Sequence, residues 1–165
     1  MVIKILEPED ALIYREIRLE ALKSVPEAFS SSYEEEKEYS LETFENRLNF
    51  EHFFTFGAFV EDELAGVVTL ILETKPKTKH RANVVAMYVY PDKRKCGIGR
   101  ILMTEAIKKA KDIKEIEQVY LTVTSSNLPA KNLYHSIGFK TYGIDNRGLK
   151  IEDTYFDDEL MVLVL

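Results

Sequence analysis

The chain has 165 residues, the length of one domain, with 45% hydrophobic and 30% charged residues to form a core and a polar surface. Its formal net charge of -6 argues against a general nucleic-acid-binding protein and slightly favours a cationic partner such as an amine. The one cysteine, Cys96, cannot form an intrachain disulfide, and the N-terminus lacks the apolar run of a signal peptide or membrane span. We therefore predict one domain over residues 1–165, located in the cytoplasm, with neither nucleic-acid nor membrane partners.

The N-terminal half combines strand and helix patterns. A short strand is predicted over 2–6, followed by an amphipathic helix over 10–22 with an acidic start. A second helical stretch covers 34–48. The apolar segments 53–60 and 64–72 are separated by a polar turn, which is typical of a β-hairpin.

The C-terminal half continues with alternating strands and helices. Its predicted elements are, in order, strand 84–89, helix 99–113, strand 116–123, helix 129–137, and strands beginning at 139 and 159. A turn-rich sequence, 145–148, lies between the last two strands. The full order β-α-α-β-β-β-α-β-α-β-β predicts an α/β fold in which helices pack on a mixed sheet.

An acidic run, Glu34-Glu35-Glu36 with Glu38, opens the second helical stretch. Such a run is typical of a solvated helix face. The alternative is an electronegative rim that attracts an amine. The residues alone leave both interpretations open.

A glycine-bearing basic segment, Arg94 to Arg100, lies between the central strand and the next helix. A helix N-terminus offers unpaired N–H groups and a partial positive charge, and glycines let the backbone approach an anion closely. The segment therefore predicts a phosphate site. It matches neither the nucleotide P-loop, G-x-x-x-x-G-K-[ST], nor the dinucleotide fingerprint, since only one G-x-G occurs.

Two motifs in order resemble a known family. The segment Arg94-Lys95-Cys96-Gly97-Ile98-Gly99 reads R-x-x-G-x-G, and about 30 residues on come Asn127, Ala130, Leu133-Tyr134 and Gly138-Phe139. Together they resemble the acetyl-CoA-binding signature of the GNAT superfamily of N-acetyltransferases. The resemblance covers nearly the whole chain and implies an acetyl-CoA-dependent enzyme, without a metal, that acetylates a primary amine by direct attack in a ternary complex.

The resemblance also implies site residues. The strand end is expected to splay from its neighbour, so that its backbone pairs with the pantetheine arm and one N–H polarises the thioester carbonyl. Tyr134 is the candidate acid, because a phenol with a pKa near 10 keeps its proton at neutral pH and can donate it to the leaving thiolate. Asn127 is expected to bond the pantetheine arm, cap the following helix, or both. The cofactor-binding set is Met87, Tyr88, Val89, Arg94, Lys95, Cys96, Gly97, Ile98, Gly99, Arg100 and Asn127.

Several features stay open at this stage. The general base is one of Glu34, Glu35, Glu36, Glu73 and Tyr88, or a water molecule. The acceptor is a polyamine, an amino acid or peptide N-terminus, a lysine or an aminoglycoside. A non-catalytic CoA-binding sensor or interaction module of the same fold is the alternative function. A homodimer is plausible through the apolar final strand or a sheet edge.

Overall fold

The structure, a computed structural model, describes all residues from Met1 to Leu165. Seven strands form one sheet in the order β1-β2-β3-β4-β5-β7-β6. The strands are β1 Val2–Ile5, β2 Phe53–Val60, β3 Glu63–Leu72, β4 Arg81–Val89, β5 Gln118–Thr124, β6 Lys140–Ile151 and β7 Thr154–Val164. The helices are α1 Ala11–Ser24, α2 Tyr33–Glu36, α3 Leu41–Leu48, α4 Ile98–Asp112 and α5 Leu128–Ile137. The predicted α/β fold with a mixed sheet is confirmed.

One strand pair in the sheet is parallel, and it is short. β4 pairs with β5 only through Arg81, Ala82 and Asn83, whereas every other neighbouring pair is antiparallel. Beyond Asn83 the two strands separate. The remaining part of β4 therefore has an edge that no strand covers, in the centre of the molecule.

Apolar side chains form two cores, one on each face of the sheet. The larger core joins the sheet to α4 and α5, with Leu102, Met103 and Phe139 almost fully buried. The smaller core joins it to α1 and α3 and includes Ile17 and Phe44. Every helix except α2 buries apolar residues in one of these cores, as the periodicity of the sequence predicts, whereas the residue that α2 buries is Glu36.

The stretch predicted as one second helix contains two. Ser32 caps α2 by accepting a hydrogen bond from the Glu35 N–H, and Ser40 caps α3 by accepting one from the Thr43 N–H. A second serine cap starts a new helix, because its extended backbone interrupts the helical path. The acidic run is therefore confined to a single turn.

The C-terminal hairpin differs from its predicted form. Residues 145–148 do not make the turn: β6 continues through them with a register shift, and Glu152 and Asp153 connect β6 to β7. β7 then lies between β5 and β6, so both of its edges are paired. The outer edges of the sheet belong to β1 and β6. The final strand, β7, has no free edge that could pair with another chain. No helix is both long and apolar enough to cross a membrane.

Candidate active site

A cavity of about 1420 Å³ occupies the place where β4 and β5 separate. Residues from both faces of the sheet line it. Leu133 of α5 lies on one face, and Tyr14 of α1 and the nearby Phe29 lie on the other. The lining contains all but one of the predicted site residues, namely Met87, Tyr88, Val89, Arg94, Lys95, Gly97, Ile98, Gly99, Arg100, Asn127 and Tyr134. Cys96 is the exception: it is exposed and lies outside the lining.

The glycine segment forms one end of this cavity. Gly97 is the N-terminal cap of α4 with φ of +80°, a left-handed conformation that favours glycine. Gly99 lies so close to its neighbours that a Cβ there would be 3.0 Å from Cε of Met87. The Nε of Arg94 donates a hydrogen bond of 2.9 Å to the carbonyl oxygen of Val89, which ties the segment to β4. The first N–H groups of α4 therefore face a cavity bordered by Lys93, Arg94, Lys95 and Arg100.

The free edge of β4 forms the middle of the cavity. A β-bulge interrupts its pairing with β3, where Thr69 lies opposite Val85 but Val67 opposite Tyr88. Ala86 in this bulge has φ of +54°. The backbone of residues 87–89 follows the bulge, and nothing on β5 pairs with it. Its free N–H and C=O groups are available to an extended ligand chain.

Asn127 borders the cavity from the start of α5, and Tyr134 borders it from the second turn of that helix. Tyr134 is only 6% exposed, and its ring packs 6.1 Å from that of Phe139. Burial raises the pKa of its phenol to about 12, so the hydroxyl keeps its proton at neutral pH. Asn127 Oδ1 accepts a hydrogen bond of 3.3 Å from the Ala130 N–H, so this residue caps α5. Its binding of the pantetheine arm stays a prediction.

Residues 19–139 match the family model described as the acetyltransferase (GNAT) family. The chain belongs to this family. Among its curated relatives, the N-alpha-acetyltransferase of Sulfurisphaera tokodaii is 35% identical over 92 residues, which are 52% of this chain and 55% of that protein. The chain thus spans about half the length of the curated relatives it matches.

Solved structures share the whole GNAT fold of this chain. A GNAT-family acetyltransferase from Streptococcus pneumoniae has a TM-score of 0.89 at 25% identity and covers 99% of both chains. The structure of yncA from Salmonella typhimurium, solved with its cofactor acetyl-CoA, has a TM-score of 0.82 at 18% identity, covering 100% of this chain and 94% of that one. At 18% identity, the similarity to yncA shows a shared fold alone.

The acidic run of this GNAT chain lies outside the cavity lining. None of the candidate bases Glu34, Glu35, Glu36 and Glu73 lines the cavity. Glu36 is completely buried and binds two arginines, so neither a solvated face nor an open rim describes it. Glu35 instead completes the capping box with Ser32. Of the protein groups predicted as the base, only Tyr88 lines the cavity.

Sequence reasoning missed residues on the face of the sheet opposite α4 and α5. Arg18 and Arg47 reach the cavity from α1 and α3, and Asp158 reaches it from β7. Burial, followed by the charges of Asp145 and Asp157, raises the pKa of the Asp158 carboxyl. No local motif marks these residues. The available signal was a pair of adjacent aspartates directly before a predicted apolar strand.

Proposed function

We propose that this GNAT-family protein transfers the acetyl group of acetyl-CoA to a primary amine by direct attack in a ternary complex. One observation carries the proposal: a single cavity is lined by the glycine segment, the unpaired edge of β4 and Tyr134. These are the groups that a diphosphate, an extended pantetheine chain and a leaving thiolate require.

The cofactor occupies this cavity along its length. The N–H groups at the start of α4, together with Arg94, Lys95 and Arg100, hold the diphosphate. The pantetheine arm pairs with the free backbone of residues 87–89, and one N–H there donates to the thioester carbonyl oxygen. A donor aimed at a developing oxyanion contributes roughly 3–4 kcal/mol to the transition state. The side-chain amide of Asn127 bonds the arm from the other side.

The reaction then needs two protons removed from the acceptor nitrogen and one supplied to the leaving thiolate. The acceptor ammonium first loses a proton to water, and its nitrogen attacks the thioester carbonyl carbon. The C–N bond forms, the C–S bond breaks, and the second amine proton leaves with solvent. Tyr134 donates its hydroxyl proton toward the departing thiolate, which becomes the free thiol, and water restores the phenol.

The acceptor is a small or peptidic amine. The relatives named N-alpha-acetyltransferase support a peptide α-amine as the first acceptor to test. A bisubstrate analogue occupies the related structure of Arabidopsis thaliana NAA60, which has a TM-score of 0.74 at 22% identity. We place the reaction in the cytoplasm, since the single cysteine suits a reducing compartment.

The test measures thiol release from acetyl-CoA in the presence of short peptides and small amines. We expect Tyr134→Phe to lower turnover by roughly 10- to 1000-fold, with acetyl-CoA affinity little changed, because only a transition-state contact is removed. Tyr155→Phe is the matched control: this tyrosine is exposed and lies outside the cavity. Wild-type turnover in Tyr134→Phe would refute the role of Tyr134. Tight CoA binding without thiol release from any amine would instead support the non-catalytic sensor.

A further inference from the structure

The two ends of the cavity differ in charge. The end at α4 carries Lys93, Arg94, Lys95 and Arg100. At the opposite end, Arg18 and Arg47 both bind Glu36, so their charges are largely committed within the protein. Asp158 also borders that end, and no lysine or arginine forms a salt bridge with it. The carboxylate is thus an uncompensated negative charge.

The sheet positions Asp158 at the end of the β4–β5 gap. It lies opposite Thr124, the last residue of β5, and opposite Asp145 of β6. A Cβ on Gly148 would be 2.9 Å from Oδ2 of Asp145 and 3.2 Å from Oδ2 of Asp158. The two carboxylates therefore converge on a space that only a glycine leaves open. Two like charges held together without a cation favour binding of a positive ligand group.

Independent evidence for a ligand comes from Tyr88. This side chain is 3% exposed and borders the same cavity, and its hydroxyl has no hydrogen-bond partner in the protein. A buried hydroxyl without a partner is costly, by about 1–3 kcal/mol. A bound molecule that offers a polar atom removes this cost. An unpaired buried hydroxyl thus belongs to a residue that borders the same cavity as the unpaired carboxylate of Asp158.

We propose, on the basis of the acetyl transfer described above, that Asp158 binds a positive charge adjacent to the reacting amine of the acceptor. The reacting amine itself must be neutral to attack the thioester. Asp158 therefore selects acceptors that carry a second cationic group, such as a peptide with lysine after its N-terminal residue. The carboxylate touches the acceptor and determines specificity, and it takes no proton in the reaction.

The test compares the tripeptides Ser-Lys-Ala and Ser-Gln-Ala. Calorimetry on the CoA-saturated protein measures their binding without turnover, and thiol release from acetyl-CoA measures kcat/KM. For the wild type we expect Ser-Lys-Ala to bind about 5- to 10-fold more tightly, the range of a partly buried ion pair. Asp158→Asn should reduce this ratio to about one, raise KM for Ser-Lys-Ala and leave kcat and CoA affinity nearly unchanged.

Asp157→Asn is the matched control. It makes the same change one residue away, and Asp157 bonds the Arg147 N–H outside the cavity. Both variants should fold, because Asp158→Asn relieves repulsion with Asp145. A wild-type ratio in Asp158→Asn, an equal loss in Asp157→Asn, or no charge preference in the wild type would overturn the proposal. Absence of thiol release from any amine would instead refute acetyl transfer, while the binding ratios would still test Asp158.

Discussion

Glu36 binds the first three helices together through charge. Its side chain is 1% exposed and accepts hydrogen bonds from Nε and Nη2 of Arg18, at 3.0 and 2.8 Å, and from Nη1 of Arg47, at 2.9 Å. Burial alone would raise the pKa of Glu36, but the two guanidinium groups outweigh it and lower the pKa from 4.5 to about 2. A shift of this size corresponds to about 3 kcal/mol of stability at neutral pH.

Glu36→Gln should therefore destabilise the fold by about 3 kcal/mol at pH 7, since it leaves two guanidinium groups with reduced compensation. The sign of the pH dependence follows from the lowered pKa. A carboxyl with a folded-state pKa below its unfolded value stabilises the protein fully above pH 4.5. That stabilisation is lost as the pH falls towards 2. The difference in unfolding free energy between the wild type and Glu36→Gln should therefore shrink as the pH falls from 4.5 towards 2.

Urea unfolding followed by circular dichroism at pH 7, 4.5 and 3 measures the difference. Glu34→Gln is the control, because Glu34 is exposed and pairs only with Lys37 within the same segment. This control should stay within about 0.5 kcal/mol of wild type at each pH. The ion-pair argument would fail if Glu36→Gln were as stable as wild type at pH 7. It would also fail if the loss of unfolding free energy in this variant were the same at pH 3 as at pH 7.

Two further changes test the sheet and the glycine segment. The hydroxyls of Thr55 and Thr69 share a buried hydrogen bond of 2.8 Å. Replacing either residue with valine should lower the free energy of unfolding by about 1–3 kcal/mol, and replacing both should lower it by less than the sum of the two single effects. Strict additivity in urea unfolding would contradict the coupling. Gly97→Val forces a β-branched residue to φ of +80° and should weaken CoA binding at least 10-fold by calorimetry. An unchanged Kd would exclude this segment as the phosphate site.

The side of the cavity at α4 could be predicted because its parts are local in sequence. A strand, a glycine turn and a helix N-terminus follow one another within residues 84–110, and local propensity alone indicates their geometry. Gly97 borders the cavity as a result, and its position needed no knowledge of which distant strands pair. Tyr134 lies outside this stretch, and its prediction came from the family resemblance.

The side of the cavity near α1 and α3 could not be predicted in this way. Glu36 meets Arg18 and Arg47 only because three helices pack together, and those residues lie 18 and 11 positions away. One signal was present: consecutive helical residues point about 100° apart, so a run of three glutamates cannot share one solvated face. The position of Asp158 beside the cavity could not be predicted, since the placement of β7 between β5 and β6 depends on the whole sheet.

The β4 bulge shows how a single backbone irregularity connects the two sides. Ala82 and Val84 face the larger core, and strict alternation would place residue 88 there too. The left-handed Ala86 adds one residue to the strand, so Met87 and Val89 face that core while Tyr88 faces the smaller one. Met87 thereby meets the start of α4, and Tyr88 carries its unpaired hydroxyl to the opposite side of the sheet. The strand consequently places adjacent residues on opposite faces of the sheet beside one cavity, which regular pairing would not allow.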